Sequence, residues 1–157
     1  MKFTIREANA NDFPGILELI RELAVFEKAP EKVTNTVEQM LGEKDLFRCF
    51  IAESESGEIV GMALYFIAYY TWVGKSLYLD DLYVKEAYRQ HKIGSVLLSR
   101  VFEEAKAENC KRVRWQVLRW NDPAIRFYEK AGALIDGEWL NCDYDSEGIR
   151  NFKIKSH

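Results

Sequence analysis

Residues 79–95 read LDDLYVKEAYRQHKIGS and contain the clearest change of pattern in the chain. Its first part is rich in apolar and aromatic residues that favour strands, and a turn with Arg89, His91 and Lys92 follows. From Ile93 onward apolar residues recur at three- and four-residue steps, which is typical of an amphipathic helix. The stretch therefore predicts a strand that passes through a basic turn into a helix.

Such a turn can bind an anion. The first N–H groups of a helix have no partner within the helix, and the positive end of the helix dipole lies at the same point. Gly94 lets a ligand approach the first helical turn closely, so a pyrophosphate would fit there. The alternative is an ordinary strand-to-helix turn whose basic side chains are solvated.

The patterns on either side predict the other elements. The predicted strands lie at residues 3–7, 47–53, 59–70, 76–84 and 112–118, with two weaker ones at 134–141 and 149–154. The predicted helices lie at residues 14–26, at 37–41 after a cap at Thr34, at 93–109 and at 121–131. We therefore expect a mixed α/β (α+β) fold, in which residues 1–157 form one domain with a central, mostly antiparallel, twisted sheet flanked by helices.

Composition excludes several classes of protein. The 157 residues are 48% apolar, which is enough for a core without disulfide or metal staples. The net charge of −3 excludes a wholly basic nucleic-acid binder. Three cysteines without CxxC spacing indicate thiols of a reducing compartment, so we expect a cytoplasmic protein. The early charged pair Arg6-Glu7 and the lack of an 18-residue apolar stretch favour neither secretion nor a membrane span.

The distribution of charge and the absence of several motifs restrict the kinds of ligand and reaction that the sequence predicts. Residues 85–119 carry nine basic and four acidic side chains within an otherwise acidic chain. This suggests a phosphate-bearing partner there and a cationic partner elsewhere, although a solvated helix face would give the same count. The sequence has no GxxxxGK[ST], GxGxxG, HExxH or GxSxG motif. With only His91 and His157 as imidazoles, we expect neither a metal site nor a Ser-His-Asp triad.

At the basic turn the sequence resembles the GNAT superfamily of acyl-CoA-dependent N-acetyltransferases, whose signature is [Q/R]xxGx[G/A]. Residues 89–94 read RQHKIG and depart from it at Lys92, where the family has glycine. A lysine could compensate by pairing directly with phosphate. Further matching blocks make the chain similar to the spermidine/spermine N-acetyltransferase branch and its thialysine-type relatives. These blocks are residues 6–8 leading into 16–27, then 72–75, 77–81 and 120–128.

The resemblance implies acetyl-CoA as cosubstrate and a homodimer. Pantetheine carries two amides, so a free strand edge at Leu82, Tyr83 and Val84 could bind it as an added strand. The resemblance places further coenzyme contacts in the basic turn and at the start of the helix after residue 120. These residues are Arg89, Gln90, His91, Lys92, Ile93, Gly94, Ser95, Asn121, Asp122, Pro123 and Ala124. Asn121 also fits a plain helix cap before Pro123.

Two residues match the family's catalytic positions. Asp80 corresponds to the acid that serves proton removal. An ordinary carboxylate is a poor direct base for an ammonium, so Asp80 would hold the cation and relay its proton through water. Tyr128 corresponds to the tyrosine that protonates the departing thiolate, which a phenol can do. The alternatives are an exposed strand residue for Asp80 and packing beside Phe127 for Tyr128.

On the acceptor side, Phe26 and Glu27 correspond to the family's Tyr-Glu pair, and Trp72 to its tryptophan. The family's aspartate two residues before that tryptophan is Tyr70 here, which favours a shorter amine or a thialysine-like amino acid over a long polyamine. We therefore expect direct acetyl transfer to a small amine, without metal, nucleic acid or membrane. A non-catalytic acyl-CoA-binding module, which Lys92 favours, and a peptide or protein acetyltransferase are the alternatives.

Overall fold

The structure is a computed structural model that describes residues 1–154, so His157 lies outside the described residues. The chain divides into two compact units, Met1–Gln116 and Val117–His157. No helix within the described part is long and apolar enough to cross a membrane.

The first unit contains one five-stranded sheet in the order β1-β2-β3-β4-β5. Its strands are β1 (Phe3–Glu7), β2 (Arg48–Ser54), β3 (Ile59–Tyr70), β4 (Gly74–Val84) and β5 (Val113–Arg114). The first four strands pair antiparallel, and β5 pairs parallel with β4 at Leu77 and Tyr78. The prediction of a mostly antiparallel sheet is confirmed. The strand predicted at 112–118 is shorter in the structure, because only Val113 and Arg114 pair with β4.

Three helices flank this sheet: α1 (Phe13–Phe26), α2 (Val37–Gly42) and α3 (Ile93–Ala107). The helices α1 and α3 cover opposite faces, because strand side chains alternate between two separate apolar clusters. On β2, for example, Phe50 packs with α3 whereas Ile51 packs with α1. A long crossover through α3 is what a parallel pair such as β4 and β5 requires.

Local sequence explains where the first two helices begin. Before α1, the Asp12 carboxylate accepts the Asn9 N–H at 2.8 Å and so caps a short 3-10 turn, Ala10–Asp12, whereas α1 itself begins without a side-chain cap and has Pro14 in its first turn. Before α2, the Thr36 hydroxyl accepts the Gln39 N–H at 3.1 Å. The predicted cap at Thr34 is wrong, because the capping side chain must lie three residues before the N–H that it accepts.

The second unit contains α4 (Asp122–Lys130) and α5 (Ser146–Arg150). The helix α4 begins at the predicted cap Asn121, and Gly132 lies just past its end with a φ of 95°.

The strands predicted at 134–141 and 149–154 are wrong. At 134–141 the Asp136 carboxylate accepts the N–H of Glu138 and the ring N–H of Trp139, both at 3.0 Å, and such local bonds compete with a strand ladder. At the second segment, the Asp145 side chain caps α5 by accepting the Gly148 N–H at 2.7 Å, so residues 149 and 150 are helical.

Candidate active site

A β-bulge in β4 organises the candidate site. Leu64 of β3 lies opposite Asp81 and Tyr65 lies opposite Leu79, so Asp80 has no partner on β3. Before the bulge Leu77 and Leu79 pack on the α3 side, and after it Leu82 and Val84 do so. Because the alternation shifts by one residue, Asp80 and Asp81 both lie on the face that α1 covers, together with Tyr78 and Tyr83.

Glu27 completes an acidic cluster with Asp80 and Asp81. Glu27 follows directly after α1. Burial raises the pKa of Asp81 to about 7, and the charges of Asp80 and Glu27 add to this rise. The Asp80 residue is exposed, as the alternative interpretation expected, but partial desolvation by the surrounding protein raises its pKa. Burial followed by the charge of Asp80 raises the pKa of Glu27. Three mutually repelling carboxyl groups favour a bound cation or a shared proton.

One edge of β4 is open beside this cluster. Leu82, Tyr83 and Val84 pair with β3 on one side, whereas β5 pairs with β4 only at Leu77 and Tyr78. No strand among the described residues covers the other edge of residues 80–84. The predicted pantetheine segment therefore has an edge without a partner strand among the described residues, which is what an added strand requires.

Arg89 connects the end of β4 to the acceptor side. Its Nε donates a hydrogen bond to the Val84 carbonyl oxygen at 3.1 Å. Its guanidinium carbon lies 5.5 Å from the Phe26 ring centroid and 5.7 Å from the Tyr83 ring centroid. The side chain predicted for the coenzyme turn thus contacts an aromatic ring predicted for the acceptor.

The basic turn has a backbone that suits glycine. Gln90 and Lys92 have φ angles of 71° and 64°, and Lys92 is the residue before the first turn of α3. The left-handed conformation is the reason why glycine is favourable at the signature position that Lys92 occupies. The Val96 N–H donates a hydrogen bond to the Lys92 carbonyl oxygen, which is the first main-chain hydrogen bond of α3.

The remaining residues of the turn differ in exposure. Arg89, Gln90, His91, Lys92 and Ser95 are exposed. The Ile93 side chain is buried in the core, so Ile93 can offer a ligand only its main chain. The side of Gly94 is open: a Cβ there would meet only the Val84 side chain, at 3.8 Å.

The structure brings together some, but not all, of the predicted acceptor residues. Phe26, Glu27, Asp80 and Arg89 form connected contacts and charge interactions. Trp72 lies in the β3–β4 turn with 83% of its surface exposed, just before β4, whereas the basic turn follows the other end of that strand.

The second unit holds the other predicted site residues. The Asn121 side chain accepts the Ala124 N–H at 3.4 Å, and Asp122 and Pro123 form the first turn of α4. Tyr128 is half-buried, and its ring packs edge-on against Phe127 at 5.6 Å. Coenzyme contacts from Asn121 to Ala124 and an acid role for Tyr128 stay predictions.

Asp81 and an aromatic–arginine cluster are site features that the sequence patterns did not predict. Adjacent residues of a regular strand face opposite sides, so Asp81 was not expected beside Asp80. The three-residue step from Leu79 to Leu82 in an otherwise alternating strand was the available signal for the bulge. The cluster consists of Phe66, Tyr70, Tyr78, Arg112 and Arg114.

The members of this aromatic–arginine cluster are linked across three strands. Phe66 and Tyr78 stack at 5.1 Å, and Arg114 lies directly opposite Tyr78 on β5. The guanidinium carbons of Arg114 and Arg112 lie 4.8 Å and 5.4 Å from the Tyr70 ring centroid. The cluster therefore places two cations against one ring on the same sheet that carries the acidic cluster.

Fold and site together define a protein with an open strand edge that leads into a basic helix start, beside a cation-attracting acidic cluster. The family model described as "Acetyltransferase (GNAT) family" matches residues 13–133. The chain therefore belongs to the GNAT family and is an N-acetyltransferase.

Relatives and solved structures agree with this membership. A thialysine N-epsilon-acetyltransferase of Mus musculus is 37% identical, with 93% of this chain and 94% of that protein covered. A spermidine/spermine N(1)-acetyltransferase-like protein of Homo sapiens is 39% identical over 84% of this chain and 20% of its own length. A crystal structure of an aminoglycoside acetyltransferase from a soil metagenomic sample shares the fold, with a TM-score of 0.74, 21% identity and coverage of 91% and 95%.

Proposed function

We propose that the protein transfers the acetyl group of acetyl-CoA to the primary amine of a small cationic acceptor. The observation that carries this proposal is the bulge in β4, which puts Asp80 and Asp81 beside Glu27 on the strand whose free edge leads to the basic turn. The mouse relative is named for thialysine and the human relative for its likeness to a spermidine/spermine acetyltransferase, and both names support a small amine as acceptor.

The residues present fit acetyl-CoA. The open edge at residues 82–84 can pair with the pantetheine amides, and the start of α3 offers main-chain N–H groups to the pyrophosphate. Arg89, His91 and Lys92 surround that helix start with basic, exposed side chains. The thioester supplies the activated acetyl group, and the chain supplies binding and orientation.

The acidic cluster acts on the acceptor amine. Glu27 and Asp80 attract its ammonium form, while attack on the acetyl carbonyl requires the neutral amine. Desolvation raises the pKa of Asp80, which brings this carboxyl group closer to the basicity that a proton relay needs. Asp80 therefore passes the proton on through water rather than keeping it.

Transfer is direct, from thioester to amine in one ternary complex. As the new C–N bond forms and the C–S bond breaks, the leaving thiolate takes a proton from the Tyr128 hydroxyl. A cysteine carrier is not needed. Burial raises the pKa of the Cys49 thiol well above its usual range, so Cys49 is a poor nucleophile. The cytoplasmic location and the homodimer remain predictions.

An amine panel tests the proposal. Acetyl-CoA is mixed with diamines, polyamines, amino acids with side-chain amines and lysine peptides, and release of free CoA thiol is followed. We expect thiol release that depends on a small amine, with spermine performing worse than shorter acceptors, and acetylated amine detected in equal amount. Binding of acetyl-CoA without turnover of any amine, or turnover of peptides alone, would overturn the proposal.

A further inference from the structure

The aromatic–arginine cluster offers a second charged end to the acceptor site. We propose that Arg114, assisted by Arg112, binds the carboxylate of an amino-acid acceptor whose side-chain amine is acetylated. This inference rests on the proposed function, because it assigns a partner to the far end of the same small amine.

The two guanidinium groups of the cluster favour the binding of an anion. Both guanidinium groups lie against the Tyr70 ring, at 4.8 Å and 5.4 Å, so two like charges are held near each other. Neither Arg112 nor Arg114 forms a salt bridge with any residue in the described part of the chain. A planar carboxylate is the group that arginine side chains bind best, through paired N–H donors.

The cluster lies next to the acidic cluster rather than elsewhere on the sheet. Tyr78 is directly opposite Arg114, and Tyr78 and Asp80 project from the same face of β4. Burial raises the pKa of Tyr78, the charge of Asp80 raises it further, and Arg114 opposes the rise. Both the Asp80 charge and the Arg114 charge therefore act on the same phenol.

The spacing suits one amino acid. Two residues along a strand span about 7 Å, and neighbouring strands lie about 5 Å apart. The main chain of Arg114, opposite Tyr78, is therefore about 9 Å from that of Asp80, a separation that one amino acid with a long side chain can bridge. The molecule that fits both ends carries a carboxylate at one end and a primary amine at the other.

Two competing ligands fit less well. The coenzyme phosphates belong at the basic turn, and Tyr78 is six strand residues, about 20 Å, before Val84 at the other end. A second ammonium of a polyamine would meet the two guanidinium groups that lie against Tyr70. Repulsion between these like charges selects against a long polyamine.

Matched acceptors isolate the carboxylate. L-lysine and 1,5-diaminopentane, and L-ornithine and 1,4-diaminobutane, differ only in that group. We expect the wild-type kcat/KM to favour the amino acid of each pair. In Arg114→Gln it should fall about 10- to 100-fold for the amino acid, the effect of losing a charged hydrogen bond, and stay within about threefold for the diamine. Arg112→Gln should act in the same direction, but less.

Lys111→Gln is the matched control, because it removes a positive charge from the exposed residue just before this segment. It should leave the preference between amino acid and diamine unchanged, and KM for acetyl-CoA should stay constant in all three variants. Equal loss for both acceptors in Arg114→Gln, or an unchanged preference, overturns the inference. Wild-type turnover of diamines but not amino acids also overturns it and leaves the proposed function standing, whereas no turnover of any amine removes both.

Discussion

At the scale of single residues, Asp81 is held where its own charge is unfavourable. Burial first, and then the charges of Asp80 and Glu27, raise its pKa to about 7. An unfolded chain would give it a pKa of about 3.9, so the folded protein binds more protons between these two values. The stability that the protonated group contributes is fully present below about pH 4 and is lost as the pH rises through about 7.

Asp81→Asn tests this directly, since it keeps the shape of the side chain and removes the charge. We expect the free energy of unfolding at pH 8 to rise by about 1 to 2 kcal/mol over the wild type, allowing for screening by water, and the gain to shrink toward pH 4. Urea denaturation at both pH values measures it. Glu55→Gln, an exposed carboxyl in the β2–β3 turn, is the control. A gain that is equal at both pH values would contradict the assignment.

At the scale of elements, the start of α3 depends on a lysine in a glycine's conformation. Lys92 has a φ of 64° immediately before the helix. A residue with a Cβ pays about 1 kcal/mol or more for this conformation. The chain therefore keeps the turn of the GNAT signature at some cost, and an exposed ammonium stands where the family has only a main chain.

Substitutions of Lys92 separate the conformational cost of its backbone from the contribution of its ammonium group to coenzyme binding. Lys92→Gly should raise the free energy of unfolding by about 1 kcal/mol, because glycine adopts the left-handed conformation freely. If the ammonium pairs with phosphate, Lys92→Ala should weaken acetyl-CoA binding, and Lys92→Gly should weaken it less because the main chain can approach more closely. Calorimetric titration with acetyl-CoA measures both. Equal affinity in the three proteins would show that the side chain points to solvent.

At the scale of the whole molecule, sequence patterns predicted what depends on local periodicity. The apolar stripes of α1 and α3 and the cap at Asn121 needed no knowledge of distant residues. The acidic cluster could not be predicted from local periodicity, because the position of Asp81 depends on the register between β3 and β4. Near residue 136, apolar content indicated a strand, but the carboxylate of Asp136 bonds locally instead. The aromatic–arginine cluster likewise needs three strands to be aligned.

A substitution at Tyr128 tests whether binding and catalysis can be separated in the whole reaction. If its hydroxyl protonates the leaving thiolate, as we propose, its removal should affect the transition state rather than coenzyme binding, because charge develops on sulfur only as the C–S bond breaks. In Tyr128→Phe we expect kcat to fall by about 10- to 10,000-fold, while the Kd of acetyl-CoA barely changes.

Tyr144→Phe is the control, because it removes a hydroxyl from an exposed tyrosine of the same unit and should have no effect on kcat. A kcat within about twofold of the wild type at saturating substrates is too small a loss for a missing general acid. It would return Tyr128 to a packing role beside Phe127, and a loss confined to KM would make it a positioning residue instead.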